Sequence, residues 1–236
     1  MKPALILAGG LGTRLRSVLG DLPKPMADVA GKPFLWWLLK QLENQGLRDA
    51  YLSVGYRHEQ VRAGMGDTFG EMRLHYIVEE EPLGTGGAIL KAVAEIPGDD
   101  VLVFNGDTLA VVDLAAFVAD AEATRADVAL AVANVSDATR YGTVEIDDAR
   151  RICAFIEKGR NGPGLINAGV YHLRKAALAD RPGLPQRFSF EQDFLGRFID
   201  EIHLSAYPGV SDFIDIGVPD DYRAAQTRVP ALIAGR

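Results

Sequence analysis

Gly9, Gly10 and Gly12 follow the apolar run at 4–8, and Arg14 and Lys24 come soon after, with Pro23 and Pro25 on either side of the lysine. Glycines at a strand end leave backbone amides bare and form an anion-binding concavity, so this segment suits phosphate chemistry. Arg14 would add a planar fork of donors and Lys24 a compact point charge. The prolines push Leu22 and Lys24 into extended geometry, which stiffens the arm that carries the ammonium. A Walker loop would require Gly-Lys-Ser/Thr and a dinucleotide fingerprint a glycine where Leu15 stands; neither is present.

Two carboxylates break strongly apolar runs: Asp107 ends "VLVFNGD" and Asp215 lies within "FIDIG". Taken singly, each reads as a cap or turn residue. Beside a phosphate loop they suggest a shared hard cation, because a carboxylate in apolar surroundings is costly unless paired or metal-bound. His58, His75, His172 and His203 show no helical metal spacing, and oxygen ligands alone favour Mg²⁺. In "EEEPLGTGGAI", which follows the apolar run at 74–79, Glu81 would stand at the end of a strand with a carboxylate free to accept paired donors, ahead of glycines that let a ligand approach the backbone.

Elements able to position these groups are legible in the hydrophobic pattern. Apolar runs at 4–8, 50–55, 74–79, 100–106 and 128–135 suit buried parallel strands, with helical patterns between them, one at 34–46 ending at Gly46. This βαβα order predicts an α/β fold: a Rossmann-like, doubly wound, mostly parallel (mixed) sheet with helices on both faces and a crevice beyond the strands' C-terminal ends. Beyond about residue 140 the pattern turns to extended pieces at 141–147, 151–158 and 165–173, a helix near 189–199, a strand at 212–218 and a helix entered at Pro219. The expectation is one domain over 1–236, with a first part of about 1–135 and a smaller, β-rich part of about 136–236.

A net charge of −7 argues against nonspecific nucleic-acid or membrane surfaces, which need a basic face. The lone Cys153 excludes an internal disulfide and fits a reducing cytoplasm, and no apolar run is long enough to span a bilayer. Trp36 and Trp37 read as a helix face buried on the sheet, with a homodimer contact as the alternative.

"LAGGLGTRLRSVLGDLPKPM", "EEEPLGTGGAI", "FNGDTL", "YGTVE", "FIEKG", "INAGVY" and "FIDIGVPDDY" together resemble the sugar-1-phosphate nucleotidyltransferases over nearly the whole chain. The resemblance implies that Leu7, Ala8, Gly9, Gly10, Gly12 and Thr13 bind the nucleotide, with Glu81, Gly84, Thr85, Gly86, Asn105 and Gly106. It gives Arg14 the leaving phosphates, Lys24 the α-phosphate, and Asp107, with Asp215, the metal. Tyr141, Gly142, Glu157, Lys158, Asn167 and Gly169 would bind the sugar phosphate.

The implied reaction moves GMP from GTP to a sugar 1-phosphate in the cytoplasm for capsule or surface-polysaccharide synthesis. A heptose is the first expectation; guanylyl transfer to mannose and uridylyl transfer to N-acetylmuramate are the alternatives. A sugar-nucleotide sensor without turnover ranks lower, because Arg14, Lys24, Asp107 and Asp215 are all present.

Overall fold

Ala4–Leu7 forms strand β1, an apolar run at the centre of the sheet in a computed structural model that describes residues 1–10, 22–156, 159 and 161–234. It pairs in parallel with β4 (Asp49–Val54) on one side and β7 (Asp100–Asn105) on the other; β6 (Met72–Val78) extends the parallel set beyond β4. All four strands end at the same edge. Gly9, Gly55, Glu79 and Gly106 follow those ends and therefore collect there, which is the physical reason a parallel sheet builds its sites at that edge.

Both faces of the sheet are covered. Helices α1 (Phe34–Asn44), α2 (His58–Met65) and α4 (Leu114–Thr124) bury Leu35, Leu38, Leu39, Val61 and Phe117 in a core on one face. On the other face, α3 (Gly84–Val93), α5 (Lys175–Ala179) and a π-helical turn (Phe190–Gly196) bury Ile89, Leu178, Phe190 and Phe194. Gly46 has φ +82°, a left-handed conformation that glycine tolerates, and so ends α1 as its position implied. The hydrophobic pattern did not reveal α4, whose three alanine-rich turns carry little contrast; Asp113 caps it by accepting from the Ala116 amide at 3.0 Å.

Strand direction becomes mixed in the second part of the chain. The long strand β12 (Gly164–Arg174) runs antiparallel to β9 (Val128–Val135) along one side. Along the other it pairs first with β10 (Thr143–Ile146) and then with β7. Outer strands β11 (Ile152–Ile156), β13 (Leu204–Tyr207) and the two-residue β5 (Thr68–Phe69) complete ten strands in one sheet.

Two small sheets lie apart from it: the hairpin β2 (Asp28–Val29) and β3 (Lys32–Pro33), and the pair β8 (Thr108–Val111) with β14 (Asp212–Asp215). Helix α6 (Pro219–Ala234) packs Ala225, Val229 and Ile233 against both in a third core. Pro219 occupies its first position, with Asp220 and Asp221 in the first turn, as the sequence suggests.

Both indoles are half-buried. Trp36 packs edge-on against Phe69 at 5.5 Å, and Trp37 donates its Nε1–H to the Val29 carbonyl at 2.8 Å. No helix among the described residues is long and apolar enough to cross a membrane.

Candidate active site

A cleft of about 450 Å³ opens at the C-terminal edge of the parallel strands. Leu7, Gly9, Gly10, Lys24, Gly84, Thr85, Asn105, Gly106 and Asp107, all singled out in the sequence, line it. Gly12, Thr13, Arg14, Glu157 and Lys158 lie outside the described residues. Ala8 is buried beside the cleft, its amide donating to the Ser53 carbonyl at 2.8 Å.

Close approach explains several glycines. A Cβ on Gly106 would stand 2.4 Å from the Leu7 carbonyl oxygen, and one on Gly9 2.7 Å from Glu79 Oε1. At Gly84 (φ +69°), a Cβ would lie 2.5 Å from the Phe188 carbonyl oxygen, and at Gly86 2.1 Å from the Phe188 ring. The glycines of α3 thus admit the segment at 186–188. Thr85 extends this junction by accepting the Phe190 amide at 2.8 Å on its hydroxyl.

Lys24 is 8% exposed and donates to Asp107 Oδ2 at 2.5 Å, with Asp215 Oδ1 at 3.8 Å. Its place is set by a short 3₁₀ turn, Lys24–Met26, that includes Pro25, and not by the extended arm the flanking prolines suggested: the Met26 amide closes the turn onto the Pro23 carbonyl at 2.8 Å. Asp107 follows β7, whereas Asp215 ends β14. The antiparallel pairing Asp215↔Thr108 brings these carboxylates, distant in sequence, to one cation. Burial, and next the Asp107 charge, push the Asp215 carboxyl above its ordinary value; Lys24 and the Gly217 amide, which donates to Oδ1 at 2.6 Å, oppose this.

The ammonium reports a point where both carboxylates converge, which a cation could share. Among the described residues no group of three or more His, Cys, Asp and Glu could hold a metal. Two carboxylates suffice for Mg²⁺, which keeps waters and takes its remaining oxygens from substrate phosphates.

Two charged cleft residues were missed in the sequence. Glu79, rather than Glu81, lines it, while Glu81 is exposed in the turn leading to α3. Glu79 is held on both oxygens, accepting from Ser53 Oγ at 2.8 Å on Oε1 and from the Leu83 amide at 3.2 Å on Oε2. The signal lay in strand phase: Glu79 directly follows β6, and residues that directly follow parallel strands form the crevice. Arg187, an exposed cation on the segment packed over α3, is the other. No local motif marks it.

The second part of the chain approaches from the side of β12. A register shift between Asn167 and Tyr171 contains Gly169 at φ +72°, where a Cβ would meet Asn105 Nδ2 at 2.7 Å and Thr108 Oγ1 at 2.8 Å. Gly169 lets the bulge press against the chain on both sides of Asp107. Beside it, Asn167 donates to Glu191 Oε1 and the Tyr171 hydroxyl, both at 2.7 Å, and that hydroxyl donates to Glu191 at 2.9 Å. Burial holds the Tyr171 phenol well above its ordinary value, with Glu191 adding to the effect.

Tyr141 packs edge-on against Phe213 of β14 at 5.8 Å, and a Cβ on Gly142 would stand 3.3 Å from the Ile156 carbonyl oxygen. Arg140 pairs with Asp221 at the start of α6 at 2.9 Å. The same turn joins the segment after β11, with Gly159 donating to the Thr139 carbonyl at 3.0 Å and Ala138 to the Gly162 carbonyl at 2.9 Å.

This arrangement is a glycine-lined cleft with a buried lysine on a doubly wound sheet, and residues 3–231 match the family described as nucleotidyl transferase. The chain belongs to that family of nucleotidyl-transferring enzymes. It is 45% identical to D-glycero-alpha-D-manno-heptose 1-phosphate guanylyltransferase of Aneurinibacillus thermoaerophilus, over 98% of this chain and 99% of that one. To the protein of the same name from Campylobacter jejuni subsp. jejuni serotype O:2 the identity is 40%, over 93% and 96% of the two chains. The crystal structure of HddC from Yersinia pseudotuberculosis complexed with GMP-PN superposes with TM-score 0.86 at 41% identity, covering 96% of this chain and 98% of that one. A putative glucose-1-phosphate thymidylyltransferase from Bacillus anthracis shares the fold, with TM-score 0.81 at 18% identity over 97% and 95% of the chains.

Proposed function

We propose that this protein transfers GMP from GTP to D-glycero-α-D-manno-heptose 1-phosphate, releasing pyrophosphate and GDP-heptose. The observation that carries this reading is 45% identity, over 98% of the chain, to a relative bearing that activity's name. The convergence of Asp107 and Asp215 on Lys24, which with Asp107 lines the cleft, supports it chemically.

The second pKa of a phosphate monoester is about 6, so the attacking oxygen of the sugar phosphate is anionic at neutral pH and needs no general base. Repulsion between two anions and the entropy of aligning them oppose reaction, so catalysis rests on positioning and charge neutralisation. Lys24, together with Arg14, would neutralise the nucleotide's phosphates, and Arg187 and Lys158 would meet the sugar phosphate. Asp107 and Asp215 would hold Mg²⁺, which when bound neutralises phosphate oxygens.

Leu7, Ala8 and the glycines through Gly12, with Thr13, Thr85, Asn105 and Gly106, would cradle the nucleotide. Guanine reading goes to Glu79. Each of its carboxylate oxygens already accepts one bond, which orients the group and leaves a lone pair apiece for N1–H and N2–H. Tyr141, Gly142, Glu157, Asn167 and Gly169 would frame the sugar.

The chain would work as one catalytic domain, its nucleotide part at about 1–135 and its sugar-phosphate part at about 136–236. GDP-heptose is an activated glycosyl donor, so the product would supply cytoplasmic steps of capsule or surface-polysaccharide assembly. Pyrophosphate release from a grid of four nucleoside triphosphates against heptose, mannose, glucose and N-acetylmuramate 1-phosphates tests the reading. GTP with the heptose should turn over fastest; faster turnover of another pair rejects the substrate assignment, and no turnover of any pair rejects the enzyme in favour of a sensor.

A further inference from the structure

Lys24 stands where a cation shared by two carboxylates belongs. Its ammonium is 2.5 Å from Asp107 Oδ2 and 3.8 Å from Asp215 Oδ1, and only 8% of the residue is exposed. The side chain is committed to this position by the 3₁₀ turn Lys24–Met26 and by the β8–β14 pairing that draws the two aspartates together. Without it, two like-charged, partly exposed carboxylates would converge on one point with no cation between them, a costly arrangement.

A divalent ion on the same oxygens would meet the ammonium at close range, and like charges so placed repel. The two cations can coexist only if the ammonium gains another anion, and the phosphates of an incoming nucleotide are that anion.

We propose that Lys24 is a resident counter-ion which fills the cation position between Asp107 and Asp215 in the substrate-free protein, and hands it over as metal and nucleotide arrive together. The proposal rests on the reading of Asp107 and Asp215 as the metal-holding pair. It makes Lys24 a gate on metal entry as well as a phosphate ligand. Metal alone binds weakly because it must displace a bonded ammonium with nowhere to go. Nucleotide alone is disfavoured because the ammonium is already engaged.

Direct Mn²⁺ binding, followed by the loss of the free-ion electron paramagnetic resonance signal, separates these states without relying on turnover. Wild type, Lys24→Met and Asp215→Asn are titrated with and without a non-hydrolysable GTP analogue. Without nucleotide, Lys24→Met should bind Mn²⁺ about tenfold more tightly than wild type, the factor that 1.4 kcal/mol represents. With the analogue, wild type should bind tightly and the variant's advantage should vanish.

Equal or weaker Mn²⁺ binding by nucleotide-free Lys24→Met overturns the counter-ion role, while loss of analogue-dependent binding in Asp215→Asn would leave the metal reading intact. Wild type that fails to bind Mn²⁺ even with the analogue, or Asp215→Asn that binds like wild type, overturns the metal reading instead. Lys24→Gln, compared by thermal melting, serves in place of the methionine variant if that variant does not fold.

Discussion

The two parts of the chain meet the same cleft by different means. In the first, parallel strands β1, β4, β6 and β7 end together, and Gly9, Gly10, Glu79, Gly106 and Asp107 of the cleft are their immediate continuations. In the second, antiparallel strands reach the site through a bulge at Gly169, a two-stranded sheet that carries Asp215, and an ion pair between residues 81 positions apart. The first part is an edge in which backbone touches backbone, whereas the second is a wall tied to it by side chains as well as by the β12–β7 pairing. Substitutions should therefore be costly and local in the first, milder and specific to the sugar phosphate in the second.

The largest effect falls where the parts join. Lys24→Met should lower kcat by about 10²–10³, measured as pyrophosphate release at saturating substrates, since in the proposed reaction Lys24 would meet the charge that develops on the nucleotide's phosphates. Next, Glu79→Gln should cost about 10- to 100-fold in kcat/KM for GTP, with the loss much smaller for UTP, because a carboxylate that accepts from both guanine donors becomes an amide that can accept only one. Equal losses with both nucleotides would remove Glu79 from base reading.

Gly106→Ala tests the backbone contact at that edge. Its Cβ would lie 2.4 Å from the Leu7 carbonyl oxygen, so stability should fall by roughly 1–3 kcal/mol in chemical denaturation. On the wall, Arg140→Gln should raise KM for the sugar phosphate about threefold and leave KM for GTP unchanged, since Arg140 pairs with Asp221 and lies over the ring of Tyr141, which would frame the sugar, while a pair with an exposed arginine contributes little to stability itself. A rise in both constants would deny the wall its independence.

The smallest effect depends on pH and arises far from the cleft. His172, on β12, is 1% exposed, and neither ring nitrogen has a hydrogen-bond partner. Burial pushes its imidazole below the ordinary value, with the Asp100 carboxylate only partly opposing this. A depressed histidine is neutral in both states above its unfolded value of about 6.5, and as pH falls below that the unfolded chain takes up the proton first. Thermal stability should decline over that window, and His172→Gln should flatten the decline.

Legibility in the sequence followed the same division. The parallel strands were read to within two residues at their starts because continuous apolar runs bounded by glycine have few other folds available. β5, β13 and the β2–β3 hairpin were missed, since two- to four-residue strands carry too little pattern. The expected helix near 189–199 is a π-helical turn at Phe190–Gly196, capped by Ser189 accepting from the Gln192 amide at 3.2 Å. Glu81 is expected at the crevice because its segment follows the third strand, but the residue directly after β6 is Glu79, and Glu79 lines the cleft.

The sequence by itself determined the alternating α/β order, the bare glycine backbone at a strand end and the presence of two carboxylates in apolar runs, all local consequences of residue type and spacing. Only the tertiary structure decided that Lys24 bridges Asp107 and Asp215, that Glu79 and Arg187 face the cleft, and that the α3 glycines make room for Phe188. Those outcomes depend on which strands become neighbours, and strand pairing is settled by packing over the whole core rather than by any short run of residues.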